Sequence, residues 1–358
     1  MKIVIGTGGS GGHIFPALSV AAKLKEGGNE VFFIGAFGFL KEKIEEEGYW
    51  SEELEAKGLT TNSVKSIVFS IISMLESTIH VMKTLKRLRP DAVVGFGGYG
   101  AFPVILAAGL SRQRTVIHEQ NVIPGRANTV LAKFVNRIAL SFEKSRKFFP
   151  DDKTVLTGCP SRIPGQPYDK EQILRDFGLQ LGKNTFLICG GSQGSQKINK
   201  IFLETLPSLS DFNLQVIHIS GEKDYEELKN KYSAAAIEHC VVPFLDEMDK
   251  AYAVADMAIA RAGAVTVTEV ARFGVPTIFI PYPFAGGHQK ENALILTEIH
   301  AATMIEERDL TPKLLKDTIN DFWRDKMSRA EIQQHAQCIC PSDAADLLAR
   351  EIVALVSK

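Results

Sequence analysis

The sequence predicts an α/β chain made of two open parallel-sheet domains. Short, near-continuous apolar runs alternate with helical stretches, as expected for parallel strands covered on both faces. Several of these runs lead straight into glycine-rich loops. The two halves also open alike, with strand, glycine loop and helix in that order. At 358 residues the chain is too long for one ordinary core, which favours two domains.

The first strand is 2–6, followed by Gly6-Thr7-Gly8-Gly9-Ser10-Gly11-Gly12-His13. A glycine loop feeding a helix N-terminus suits phosphate, because free N–H groups and the helix dipole both favour negative charge. Pro16 is placed in the first turn of that helix, where a missing N–H costs nothing. His13 adds a side chain that can move a proton near neutral pH. Further strands are predicted at 30–35, 92–96, 115–118, 136–141 and 154–157. Gly6-x-Gly8-x-x-Gly11 fits a dinucleotide fingerprint, but the second strand ends in Gly35-Ala36-Phe37-Gly38 with no carboxylate for a ribose, which counts against NAD. Gly11-Gly12-His13 also lacks the lysine of a Walker loop.

A second glycine cluster, Gly95–Gly100, and the polar quartet His118-Glu119-Gln120-Asn121 each end a strand, where ligand loops belong. The bland alternatives are a tight turn and an N-cap cluster. Ahead of both, residues 63–90 combine Ile67, Val68, Phe69, Ile71, Ile72, Met74 and Leu75 with Lys65, Lys83, Lys86, Arg87 and Arg89. Such a helix either lies on an anionic membrane surface or packs in a core with a solvated tail.

The proline- and glycine-rich stretch 158–170 reads as a linker, giving domains 1–160 and 161–341, with a helix in 342–358 that packs back on the first. In the second half, strands are predicted at 185–189, 214–219, 239–242, 256–260, 276–280 and 302–306. Strand 185–189 opens into Gly190-Gly191-Ser192-Gln193-Gly194-Ser195. Strand 256–260 opens into Arg261-Ala262-Gly263 and a helix carrying Glu269 in its early turns. A carboxylate there suits two vicinal ribose hydroxyls, or merely complements the helix dipole. Gln289 and Asn292 follow the next strand, with amides suited to sugar hydroxyls or to solvent.

Composition narrows the classes. With 41 basic and 42 acidic residues there is no global footprint for nucleic acid. Five scattered cysteines fit a reducing, cytosolic setting. The N-terminus does not read as a signal peptide, and no run of about 18 apolar residues spans a bilayer.

These motifs together resemble the MurG family, the UDP-N-acetylglucosamine transferases of bacterial peptidoglycan synthesis. The resemblance is carried by Gly8 to Pro16, Gly97-Gly98-Tyr99, His118 to Asn121, Gly158-Cys159-Pro160-Ser161-Arg162, Gly190 to Gly194, Arg261 to Glu269, and His288-Gln289 with Asn292-Ala293. It covers nearly the whole chain. It implies the GT-B fold, with two facing Rossmann-like domains, a cleft between them, and the donor mainly on the second. It implies transfer of N-acetylglucosamine from UDP-N-acetylglucosamine to the muramoyl sugar of lipid I, giving lipid II. It also implies a peripheral position on the cytoplasmic membrane face, with other cell-wall enzymes nearby. Departures are small: Ala260 and Cys159 replace residues usual in the family, and Ser10 replaces a commoner threonine.

The implied mechanism is a single inverting displacement with His13 as general base. No Asp-x-Asp motif is present, so no metal or cofactor is expected. Ser192, the 190–195 amides, Arg162 and the helix N-terminus near Gly263 then carry the charge of leaving UDP. The resemblance assigns the ribose to Glu269, the uracil to Leu245 and the sugar to Gln289, with Ala264, Val265, Thr266, Val267 and Thr268 lining the donor. Ser10, Gly11, Gly12 and Asn121 face the donor from the first domain, and Tyr99 and Asn128 face the acceptor pyrophosphate. Alternatives are another GT-B transferase acting on a lipid, an epimerase of UDP-N-acetylglucosamine, or a non-catalytic nucleotide-sugar-binding scaffold.

Overall fold

The computed structural model describes residues 1–54, 64–161, 167–235, 237–284, 286–336, 339, 341 and 343–357, the side chains of 64–68 excepted. The chain forms two compact units, Met1–Arg162 with Pro341–Lys358, and Ile163–Cys340.

The first unit contains β1 (Lys2–Gly8), α1 (Gly11–Glu26), β2 (Glu30–Ala36), α2 (Lys41–Glu46), β3 (Trp50–Glu53), α3 (Val64–Leu88), β4 (Ala92–Gly95), α4 (Ala101–Leu110), β5 (Arg114–Glu119), α5 (Arg126–Leu131), β6 (Arg137–Leu140) and β7 (Thr154–Leu156). The second contains α6 (Lys170–Asp176), β8 (Asn184–Cys189), α7 (Gln196–Thr205), β9 (Leu214–Ile219), α8 (Tyr225–Ser233), β10 (His239–Val242), α9 (Met248–Val254), β11 (Met257–Ala260), α10 (Ala264–Phe273), β12 (Thr277–Phe279), α11 (His288–Thr297), β13 (Ala302–Met304), α12 (Pro312–Asp325) and α13 (Arg329–Ala336). The last helix, α14 (Ala344–Val356), packs on α1 of the first unit.

Among the described residues the ladders are all parallel, in the orders β3-β2-β1-β4-β5-β6-β7 and β10-β9-β8-β11-β12-β13. Each order reverses once, between β1 and β4 and between β8 and β11. Those switch points are where the loops diverge and leave a crevice at the strand carboxyl ends. The loops after β1, β4, β8 and β11 are therefore placed to bind. Val4, Ile34, Val93, Ile117 and Ile138 anchor one core, and Phe186, Ile188, Val216, Ile259 and Ile278 the other. Full burial of each such side chain contributes about 1.5–3 kcal/mol.

Three local features differ from the sequence reading. β3 was not anticipated: Trp50-Ser51-Glu52-Glu53 is a short, polar edge strand, and one-sided solvation hides the apolar run expected of a central strand. Pro16 lies in the second turn of α1, not the first, because the helix starts at once after Ser10. α3 packs through Val81 and Leu85 and also buries three hydroxyl residues. Ser70, Thr78 and Thr84 are buried while Phe69, Ile71, Ile72, Leu75 and Ile79 are exposed. Thr78 Oγ1 donates to Met74 O (2.7 Å) and Thr84 Oγ1 to Glu52 Oε1 (2.9 Å). The exposed residues of this stretch are thus not core.

Candidate active site

In the first unit, three strand-end loops meet around His13. Ser10 occupies the N-cap of α1 but its hydroxyl makes no cap bond. Instead Ser10 Oγ lies 3.0 Å from His13 Nδ1. The amides of Gly11 and Gly12 in the first turn have no intrahelical partner, as at any helix start. The imidazole packs on the loop after β4. A Cβ on Gly97 would sit 3.0 Å from His13 Cδ2 and 3.4 Å from Gln120 Oε1. One on Gly98 would collide with the carbonyl of Gly8. Both residues also have positive φ, 81° and 75°. Only glycine gives this close approach without strain. Burial holds the His13 pKa down at about 4, so the ring is neutral at physiological pH.

The loop after β5 is held by one carboxylate. Glu119 accepts from Asn121 N (2.9 Å), Asn121 Nδ2 (3.3 Å), Gly125 N (3.1 Å) and Asn128 Nδ2 (2.8 Å). Its pKa is raised by burial, against the pull of those donors. Asn128 is 4% exposed and donates again to His118 O (3.2 Å). Its amide protons are committed inside the loop, so this geometry makes it a fastener of residues 119–128. Gln120 donates from Nε2 to Phe96 O (2.7 Å), which fixes its carbonyl beside Gly97. Tyr99 is exposed and lies over Gly9.

In the second unit, Arg261 ties four strand ends together. Its Nη1 donates to Ile280 O (2.9 Å) and Nη2 to Ser195 Oγ (2.8 Å). The guanidinium also pairs with Glu307 and lies 5.4 Å from the centre of the Tyr282 ring. Ser195 caps α7, its Oγ accepting from Ile198 N. Ser192 is half-buried in the loop before it. α10 begins after Gly263, whose carbonyl accepts from Val267 N (2.9 Å). The amides of Ala264, Val265 and Thr266 therefore remain for an anion. Val267 and Thr268 are turned to the core. Their side chains are 0% and 1% exposed, and the Val267 amide is already used.

Glu269 is hydrogen-bonded to the Tyr252 hydroxyl, and burial pushes its pKa up to about 8. Cys189 nearby is driven up to about 11, also by burial, which keeps its thiol protonated. Leu245 is half-buried in the loop after β10. Gln289 starts α11 and accepts from Tyr282 N at Oε1 (2.9 Å), leaving its amide protons for a ligand. Arg162 lies outside the described residues. Arg261, Ser195, Gln120 and Tyr252 were not among the predicted site residues. Arg261 carried a signal, a charge placed directly after an apolar strand, whereas Tyr252 reaches Glu269 only through the fold.

Two family models match this chain. The Glycosyltransferase family 28 N-terminal domain matches residues 3–140, and the Glycosyltransferase family 28 C-terminal domain matches 185–348. The chain belongs to glycosyltransferase family 28, in its MurG branch. It is 41% identical over 332 residues to the UDP-N-acetylglucosamine--N-acetylmuramyl-(pentapeptide) pyrophosphoryl-undecaprenol N-acetylglucosamine transferase of Geotalea daltonii, covering 89% of this chain and 88% of that one. The Geobacter sulfurreducens enzyme of the same description is 37% identical over 370 residues, the full length of both. The crystal structure of Acinetobacter baumannii MurG superposes with a TM-score of 0.74 at 29% identity, covering 99% of each chain. This family 28 glycosyltransferase thus has the expected GT-B fold of two Rossmann-like parallel-sheet units. UDP-GlcNAc 2-epimerase from Neisseria meningitidis shares that fold (TM-score 0.72) at only 12% identity.

The raised Glu269 pKa gives a stability test. The unfolded carboxyl ionises near 4.5 and the folded one near 8, so the native state holds the proton more tightly. Its contribution is fully present below 4.5 and is lost as pH rises through 8. Glu269→Gln keeps an acceptor for Tyr252 and removes this loss. The melting temperature of the variant minus that of the wild type should be larger at pH 9 than at pH 5. A difference independent of pH would contradict the buried-acid reading.

Proposed function

We propose that this enzyme transfers N-acetylglucosamine from UDP-N-acetylglucosamine to the muramoyl sugar of lipid I, forming lipid II. The observation that carries the reading is the neutral His13 imidazole held by Ser10 and the Gly97-Gly98 turn, in a chain that matches full-length transferases of that description. With Nδ1–H donating to Ser10 Oγ, Nε2 keeps a lone pair and takes the proton of the acceptor hydroxyl. The oxygen then bonds to the anomeric carbon as the bond to UDP breaks, so an α-linked donor gives a β-linked product.

The second unit supplies the donor side. Ser192 and the loop 190–195 contact the diphosphate, and the free amides at the start of α10 meet its developing charge. Glu269 holds the ribose hydroxyls, Leu245 lies by the uracil and Gln289 reaches the sugar. On the family resemblance, Asn121, Ser10, Gly11 and Gly12 are kept as donor contacts and Tyr99 as an acceptor contact. Arg162 is kept as a further donor contact on the family resemblance alone.

The acceptor is lipid-linked, which gives the exposed face of α3 a use. Phe69, Ile72, Leu75 and Ile79 lie on it, with exposed Lys83, Lys86, Arg87 and Arg89 towards its end. Leu110 at the end of α4 and Phe134 are exposed as well. No helix among the described residues is long and apolar enough to cross a membrane. A peripheral position on the cytoplasmic face of an anionic membrane fits these features.

The test is transfer of label from UDP-N-[14C]acetylglucosamine to lipid I, with diacylglycerol as the competing acceptor. Label should enter the lipid phase only with lipid I. His13→Ala should lower turnover by roughly 10²–10⁴ with UDP binding retained. Label that stays in water, or near-normal turnover in His13→Ala, would contradict the reading.

A further inference from the structure

The second unit contains a buried titratable group that the mechanism leaves unused. His218 on β9 is fully buried. Its Nδ1 is 2.9 Å from Tyr232 Oη, and its Nε2 is 3.0 Å from Asn199 Oδ1. Asn199 Nδ2 donates both its protons, to Ser220 O (2.9 Å) and to Asp224 Oδ2 (2.9 Å). Asn199 Oδ1 can only accept, so the His218 proton sits on Nε2. Nδ1 then accepts from the Tyr232 hydroxyl. Gln196 Nε2 donates to the second oxygen of Asp224 (3.0 Å). Every direction in the chain is thereby fixed, from Tyr232 through His218 and Asn199 to Ser220 and Asp224. Burial keeps the imidazole neutral, which this arrangement requires.

The end of the chain bears on the loop 190–195. Gly194 has φ 73°, and a Cβ there would collide with the carbonyl of Ser220, the group that Asn199 holds. Gly221 lies equally close to the carbonyl of Gln193. Ser220 is tied on its other side, its backbone N–H donating to Val242 O (2.9 Å). Residues 220–221 therefore form the back wall of the glycine loop, and Asn199 clamps that wall one turn into the helix that the loop starts.

We propose that Asn199 and His218 are positioning residues for the donor diphosphate. They hold residues 220–221 against the glycine loop, so that the loop amides and Ser192 keep their aim before the donor arrives. Preformed donors are worth more than donors that must be ordered on binding. This inference rests on the loop 190–195 taking the diphosphate, as proposed above.

The experiment measures UDP affinity by calorimetry and both Michaelis constants in Asn199→Ala, His218→Leu and His218→Gln, with Ser192→Ala alongside. Asn199→Ala and His218→Leu should weaken UDP about tenfold and raise the donor KM in step, leaving the acceptor KM within about twofold. His218→Gln retains a donor and an acceptor and should recover most of the affinity. If Asn199→Ala does not fold, Tyr232→Phe removes only the distal hydroxyl and should weaken UDP about threefold. UDP affinity unchanged in the folded variants, with only the melting temperature lowered, would overturn the proposal. Unchanged affinity in Ser192→Ala would instead overturn the placement of the diphosphate on this loop.

Discussion

The contact between Ser10 Oγ and His13 Nδ1 is the interaction on which the chemistry of the first unit depends. An imidazole can serve as a base only if it is neutral and offers a lone pair. Burial against Gly97 and Gly98 supplies the first condition by lowering its pKa. When Nδ1–H donates to the Ser10 hydroxyl, Nε2 keeps its lone pair and the second is met. The first needs the backbone of the loop after β4 to lie against the ring, which explains glycine at 97 and 98. The second explains why Ser10 leaves its own helix uncapped: the hydroxyl is spent on the base, at a cost of about 1 kcal/mol of helix stability.

The second unit solves a different problem with the same topology. Its switch point presents amides and not a base. Those amides face outward only if the loop behind them is rigid. Arg261 fastens one side by bonding Ser195 and the end of β12, and Asn199 fastens the other through Ser220. Glu269 is aimed by Tyr252, a residue on a separate helix. The supporting shell is thus mostly charged or polar and almost wholly buried. Such groups are costly unless paired, and here they are paired with one another.

Much of this was legible in the chain. Central parallel strands are covered on both faces, so 185–189 and 214–219 announce themselves as apolar runs. The glycine loops are legible for a related reason, since few uses other than close backbone approach need so many glycines. What could not be read were facts of direction and of distance in sequence. Periodicity did not tell that Val267 and Thr268 face the core while the amides of 264–266 stay free. It gave no sign that Asn128 would close a turn with Glu119. The edge strand β3 lacks an apolar run because half of it meets solvent. α3 buries Val81 and Leu85 with two threonines and exposes Phe69, Ile71, Ile72, Leu75 and Ile79, so its apolar content alone could not decide between core and surface.

The central claim is that His13 works as a neutral base with an unusually low pKa. The pH dependence of kcat/KM for the acceptor reports the ionisation of the free enzyme. With a folded-state value of about 4, the base is already deprotonated across the neutral range. The profile should stay flat from pH 8 down to about 5.5 and fall only below it. An acid limb at half-height near pH 6.5 or above, the range of an ordinary solvated histidine, would contradict the account.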